Sequence, residues 1–183
     1  AKPALRLAAI GKIPSINIYS HDSITVGEDG PTHQPIEQLC SLRMVPNLYV
    51  FRPCNYQECL YALYFGLIKR NSPTVIITSR QEFEQVPTEN FDLIKRGAYF
   101  MKYNEKNKYT LLGTGSEMAT CFEVAKILQK EYGTSVNIVS GMCMRRFEEQ
   151  DDQYKNLILK KPIITIEFAA TPYWYKYSKH PIG

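Results

Sequence analysis

Residues 47–79, NLYVFRPCNYQECLYALYFGLIKRNSPTVIITS, read as strand, helix, strand. Asn47–Arg52 is a strand-length run of apolar and aromatic residues closed by Pro53. Asn55 is a good N-cap for a helix reaching about Arg70, with Leu60, Leu63, Tyr64, Leu67 and Ile68 on one face. Pro73–Ser79 supplies the second strand. Two strands joined through a helix by short turns predict a right-handed parallel crossover.

The same alternation extends outward. Ala4–Ile10 reads as the tail of a helix, broken by Gly11 and Pro14, and Ser15–Ser20 alternates like a strand. Residues 21–35, HDSITVGEDGPTHQP, keep neither period and read as a long loop. A helix is expected from about Pro35, with Ile36, Leu39, Leu42 and Arg43 at helical spacing. Parallel strands place the segment from His21 and the segment Ser79-Arg80-Gln81 at one carboxyl edge, where α/β proteins bind ligands. Residues 81–96, which include Pro87, read as an interdomain linker. Alternation then restarts, with strands at Gly97–Lys102, Tyr109–Gly113, Ser135–Ser140 and Pro162–Phe168. Helices are expected at Ser116–Tyr132, with Gly133 as its C-cap, and at Asp151–Leu159. No further strand is expected in His180–Gly183. The fold class is α/β, in two Rossmann-like units, 1–80 and 97–183.

Composition narrows the function classes. The 183 residues carry 22 Lys+Arg against 18 Asp+Glu, a net charge of +4, with 44% hydrophobic residues, which excludes disorder and collagen-like repeats. The basic pairs Lys69-Arg70, Arg145-Arg146 and Lys160-Lys161 each have acids nearby, so no stripe forms to track nucleic acid. The longest apolar runs have strand length, so no membrane span is expected. Cys40, Cys54, Cys59, Cys121 and Cys143 lack Cys-x-x-Cys spacing and read as reduced thiols of an intracellular protein. The start at Ala1-Lys2-Pro3 leads to the expectation of an incomplete chain.

The chemistry concentrates in loop 21–35. It holds His21 and His33, two of the three histidines, and the acids Asp22, Glu28 and Asp29, with Gly27 and Gly30 allowing sharp turns. Three readings are open. One is a solvated loop with ordinary turns such as Asp29-Gly30-Pro31. Another is a metal site from His21, Asp29 and His33, at a spacing that fits no standard metal motif. The third is recognition of a phosphorylated polyol: His and Asp side chains suit sugar hydroxyls, and Arg80 at the same edge suits a phosphate. Gly113-Thr114-Gly115 follows a strand, but Met118 stands where a dinucleotide fingerprint needs its third glycine, so a tight strand–helix joint is expected. Tyr173-Trp174-Tyr175-Lys176-Tyr177 reads as interdomain packing.

His21-Asp22-Ser23-Ile24, Gly27–Glu37 (GEDGPTHQPIE), Leu42-Arg43, Pro46-Asn47 and Phe51-Arg52-Pro53 together resemble the transketolase signature. The likeness continues through Ser79-Arg80-Gln81, Gly97-Ala98-Tyr99, Gly113–Glu117 (GTGSE) and Glu167, covering essentially the whole chain. It implies the back half of a pyrimidine-binding domain over 1–80 and a truncated, mixed-sheet C-terminal domain over 97–183. It also implies thiamine-diphosphate-dependent transfer of a two-carbon ketol unit from a ketose phosphate to an aldose phosphate, in the pentose phosphate pathway. His21, Asp29 and Arg80 resemble the family's substrate-binding residues, at the phosphate end, at a sugar hydroxyl and at the phosphate clamp. His33 resembles the catalytic and cofactor-contacting histidine close to the thiazolium. The resemblance further implies a divalent metal (Mg or Ca), a homodimer, sugar-phosphate partners and a cytoplasmic location.

Two departures stand out. Thr25 occupies a usual glycine position, and Glu82-Phe83-Glu84 replaces an apolar–Pro turn after Gln81. The family's catalytic glutamate and its pyrimidine-stacking aromatics lie upstream of the matched segment. Cofactor and metal are therefore expected to be held mainly by parts outside this chain, and none of its residues is assigned to the metal. The chain alone is expected to be inactive. Alternatives are dihydroxyacetone synthase and a non-catalytic regulatory or assembly module.

Overall fold

The computed structural model describes residues 1–86, 88 and 91–183. Pro87 of the expected linker lies outside the described residues. The helices are α1 (Lys2–Ile10), α2 (Gln38–Arg43), α3 (Tyr56–Ile68), α4 (Phe91–Ile94), α5 (Glu117–Tyr132), α6 (Met144–Glu148) and α7 (Asp152–Leu159). The strands are β1 (Ile16–Tyr19), β2 (Tyr49–Phe51), β3 (Thr74–Ile77), β4 (Tyr99–Lys102), β5 (Thr110–Gly113), β6 (Asn137–Ser140), β7 (Ile163–Ile166) and β8 (His180–Ile182). The first sheet is parallel, in the order β1-β3-β2. The second, in the order β4-β6-β5-β7-β8, is parallel except for antiparallel β4.

Local chemistry fixes the first crossover. Asn55 accepts the Glu58 N–H at 2.8 Å and starts α3, while the Glu58 carboxylate accepts the Cys54 N–H at 2.8 Å. Gly66 lets α3 press onto β1, since a Cβ there would lie 2.8 Å from the Ile16 side chain. In β2, Val50 packs with α1 and α2, whereas Tyr49 and Phe51 pack with α3. The cores run across the two sheets. Ala169 joins the α1–α2 cluster, and Ile94, Tyr99, Met142 and Cys143 join the α3 cluster.

Several expectations need correction. The helix expected from Pro35 starts at Gln38, because the Ile36 N–H is taken by Gln38 Oε1 and its carbonyl by the Ala170 N–H. Residues 180–182 do form a strand, pairing in parallel with β7. Pro181 and the strand's brevity hide it in the sequence, and a Pro is admissible on such an edge. Glu167 sits one residue past β7 rather than within a strand. The sequence reading also missed α6, the single turn α4, and the 3₁₀ turns Ile24–Val26 and Thr171–Lys176. All five cysteines are free, and burial pushes Cys121 and Cys143 up to about 12, so they pack as protonated thiols.

Candidate active site

Parallel register brings the C-terminal ends of β1 and β3 side by side, with Tyr19 opposite Ile77. Chain leaving β1 enters loop 21–35, and chain leaving β3 reaches Arg80. Gln81 ties the two together by donating to the Val26 carbonyl at 3.0 Å. Inside the loop, Gly27 and Gly30 have φ of +81° and +73°. Stacked turns follow, from the Gly30 N–H to the Gly27 carbonyl and from the His33 N–H to the Gly30 carbonyl, both 3.1 Å. Thr25 fits without a left-handed backbone. Ser23 caps the turn at Ile24–Val26, and the Ser23 and Thr25 hydroxyls hydrogen-bond at 2.7 Å.

These turns bring together all four candidate side chains. Asp29 is the hub: His21 Nε2 lies 3.6 Å and Arg80 Nε 4.0 Å from its Oδ2. The His21 and His33 ring centroids are 6.4 Å apart. The Nδ1 of His21 and of His33 hydrogen-bond to Ser20 and Thr32 hydroxyls at 2.8 and 2.9 Å, and His21 keeps its Nε2 toward Asp29. The side chains of His21, Asp29 and Arg80 are 32%, 39% and 54% exposed, so these contacts add little stability and the groups remain open to a ligand. His21 also lines a cavity of about 460 Å³ with Asp22, Tyr19, Leu39 and Ile77. Among the described residues, no group of three His, Cys, Asp or Glu is arranged to hold a metal ion.

His21 has φ of +65°, a left-handed backbone that costs about 1–3 kcal/mol in a non-glycine residue and needs support from its surroundings. The next residue supplies it. Asp22, 1% exposed, accepts from Arg52 Nε at 3.1 Å and Nη2 at 2.6 Å through a single oxygen. Arg52, fully buried, turns its other edge to the second sheet. It donates to Glu117 Oε1 at 3.0 Å, to Glu117 Oε2, to the Thr114 hydroxyl at 2.9 Å and to the Thr114 carbonyl at 3.1 Å. The glycine-rich joint 113–115 serves this contact. Gly115 has φ of +52°, and a Cβ there would lie 2.9 Å from Arg52 Cγ. The joint packs on an arginine, in accord with the strand–helix reading.

A second arginine continues the network. Arg43 makes a bidentate pair with Glu167 at 2.6 and 2.7 Å, and its guanidinium lies 4.9 Å from the Trp174 ring centroid. Glu167 also accepts from Trp174 Nε1 at 2.9 Å and from the Thr114 hydroxyl at 2.5 Å. Burial pushes the Glu167 carboxyl up, but the Arg43 and Arg52 charges and the Thr114 hydrogen bond outweigh it and hold the group at about 2. Burial likewise lowers Arg52, and its carboxylates overcome this to raise it above its ordinary value. A separate cluster is neutral on the donor side. Glu58, fully buried, accepts from Tyr99 at 2.9 Å and Ser140 at 2.5 Å. Burial therefore prevails and raises its pKa. Trp174 is 1% exposed at the meeting of both parts, as the packing reading expected of the aromatic run, while Tyr175 is exposed.

Sequence reasoning assigned no role to Asp22, Arg43, Arg52, Glu58 or Glu117. The available signal was position: Arg52 ends an apolar strand, and Glu117 opens a helix directly after a glycine joint.

Two α/β layers locked through buried ions, with polar side chains gathered at strand ends, define a multidomain α/β protein of the kind that binds ligands at a carboxyl rim. Residues 1–85 match the transketolase pyrimidine-binding domain model, and residues 97–182 match the transketolase-like C-terminal domain model. The sequence is 40% identical to Transketolase 2 of Vibrio parahaemolyticus, with 97% of this chain and 28% of that protein covered. It is similar in structure to the transketolase of Leishmania mexicana, at TM-score 0.94 and 36% identity over 100% of this chain and 27% of the other. It is also similar to a Pichia stipitis transketolase in complex with sedoheptulose 7-phosphate, at TM-score 0.96 and 32% identity over 100% and 27% of the two chains. The chain belongs to the transketolase family. It spans a little over a quarter of the length of the relatives it matches.

Proposed function

We propose that this chain supplies the substrate rim of a transketolase that transfers a two-carbon ketol unit from a ketose phosphate to an aldose phosphate. The approach of His21 and Arg80 to Asp29 at one carboxyl rim, with the His33 ring beside that of His21, carries this reading. Arg80 meets the phosphate as a planar fork, and His21 donates to the same end. Asp29 accepts from a sugar hydroxyl and selects its configuration, while His33 lies toward the first carbons. A relative's complex with a seven-carbon sugar phosphate supports that substrate class. In this reading 1–80 and 97–183 are the pyrimidine-binding and C-terminal domains and 81–96 the linker. The complete enzyme is a cytoplasmic homodimer in the pentose phosphate pathway. Among the described residues no helix is long and apolar enough to cross a membrane.

Thiamine diphosphate, which supplies the carbanion stabilisation in this family, finds only part of a site here. His33 is the one residue proposed to face it. The described residues offer no three-ligand metal cluster to anchor a diphosphate-bound cation. Cofactor and metal are thus proposed to be held by other parts of the complete protein, and this chain's share of the work is to bind and orient sugar. The test is to assay the complete protein containing this sequence with a ketose phosphate donor and either ribose 5-phosphate or formaldehyde as acceptor. Transfer to ribose 5-phosphate is expected. Transfer to formaldehyde alone would identify a dihydroxyacetone synthase, and transfer to neither would overturn the reading.

A further inference from the structure

We propose that Glu117, Arg52 and Asp22 form a positioning relay through which the second sheet's unit sets the geometry of His21. The proposal deepens the sugar-phosphate reading, since it concerns the same rim. Three observations carry it. His21 holds a left-handed backbone, which an exposed loop does not keep without an anchor. The adjoining residue, Asp22, is buried, and its hydrogen bonds among the described residues go to Arg52 alone. Arg52 in turn is oriented by a residue of the other sheet's unit, Glu117, which occupies both of its Nη atoms.

The arrangement has a defined weak point. Two arginines face three carboxylates, and Glu167 is already committed to Arg43 by a bidentate pair. Arg52 Nη1 lies only 3.8 Å from Glu167 Oε2, a second place for the guanidinium to turn. Glu117 decides between the two directions. When its carboxylate becomes an amide, an NH₂ group faces one of the Nη donors, and the fork is displaced. Asp22 then loses its bonding geometry, the backbone at His21 is released, and the 3.6 Å approach of His21 to Asp29 is no longer held. Glu117 and Arg52 touch no substrate in this reading; they act through Asp22 on His21.

The experiment follows the imidazole signals of the chain labelled with ¹³C-histidine, with no sugar present. His21 is assigned by its loss in His21→Gln, and His180 on β8 serves as the internal reference. In the unsubstituted chain His21 is expected to give one narrow signal. Glu117→Gln is expected to shift or split the His21 signal and to move that of His33, leaving His180 in place. Tyr99→Phe, which weakens the Glu58 cluster of the same interface, is expected to leave His21 unchanged. An unaltered His21 signal in folded Glu117→Gln overturns the relay. Equal changes in Glu117→Gln and Tyr99→Phe also overturn it, because general loosening of the interface then accounts for both. Should Glu117→Gln not fold, Thr114→Val decides in the same way, since it removes one Arg52 acceptor and one donor to Glu167, freeing the guanidinium to turn, and keeps all three carboxylates. The readout needs no turnover, so failure of the ketol-transfer reading and failure of the relay remain separate results.

Discussion

Replacing Arg52 by Met tests whether the two units are held by charge or by apolar packing. The substitution keeps an unbranched side chain but deletes the donors of six hydrogen bonds to Asp22, Thr114 and Glu117. Asp22 and Glu117 are left buried without their cation, whereas Glu167 keeps Arg43. Breaking a buried pair by removing one partner costs about 3–5 kcal/mol. For a chain of this size that corresponds to a fall in Tm of roughly 6–20 °C at neutral pH. The sign with pH is also fixed. Glu167 titrates at about 2 in the folded protein against an ordinary 4.5, so its stabilisation is complete above 4.5 and is lost as the pH falls from there through 2. Because Glu167 keeps Arg43, both the parent and Arg52→Met should lose stability as the pH falls from 4.5 through 2. Adding Glu117→Gln to Arg52→Met should recover part of the loss by removing one stranded charge. Urea unfolding followed by the fluorescence of Trp174, the sole tryptophan, reads all three quantities at the interface itself. A loss below about 1 kcal/mol at neutral pH, or a parent stability that does not fall between pH 4.5 and pH 2, would refute the reasoning.

Other perturbations separate stability from recognition. Tyr99→Phe removes one donor to the buried Glu58 carboxyl and should lower stability by about 1–3 kcal/mol in urea unfolding at pH 7. Arg80→Ala, at a side chain 54% exposed, should leave Tm nearly unchanged. In the complete enzyme it should raise KM for phosphorylated sugars far more than it lowers kcat, and an unchanged KM would remove Arg80 from the phosphate clamp. Asp29→Ala should reduce discrimination between donors differing in one hydroxyl configuration by about 1–3 kcal/mol, read from the ratio of their kcat/KM values.

The sheets were legible because their signals are local. Asn55 as a cap, the apolar runs at 47–52 and 73–79, and Gly133 after α5 each state their own element, and Gly133 indeed closes α5 with φ of +60°. Parallel order then placed loop 21–35 and Arg80 at one rim without any knowledge of side-chain positions. What escaped depends on partners distant in sequence. Residues 180–182 form a strand only because β7 is there to pair with, and Ile36 leaves the helix because Ala170 takes its carbonyl.

The buried arginines escaped for a related reason. In isolation a charged residue carries a desolvation penalty, so a sequence reader places it in solvent. Arg52 and Glu117 are 65 positions apart, and Arg43 and Glu167 are 124 apart, so neither member announces the other. Once paired, the same penalty acts as a specificity device: an interface that slips leaves charge buried and unmatched, whereas a slipped apolar contact loses only area. That asymmetry explains why the rim depends on residues remote from it. Asp29 and Arg80 meet across exposed, weakly held geometry, while Asp22, one residue from His21, is fixed by a cation that the second unit orients. The chemistry of the loop can be read from fifteen residues, but the conformation that makes it usable is set by Glu117, on the far side of the interface.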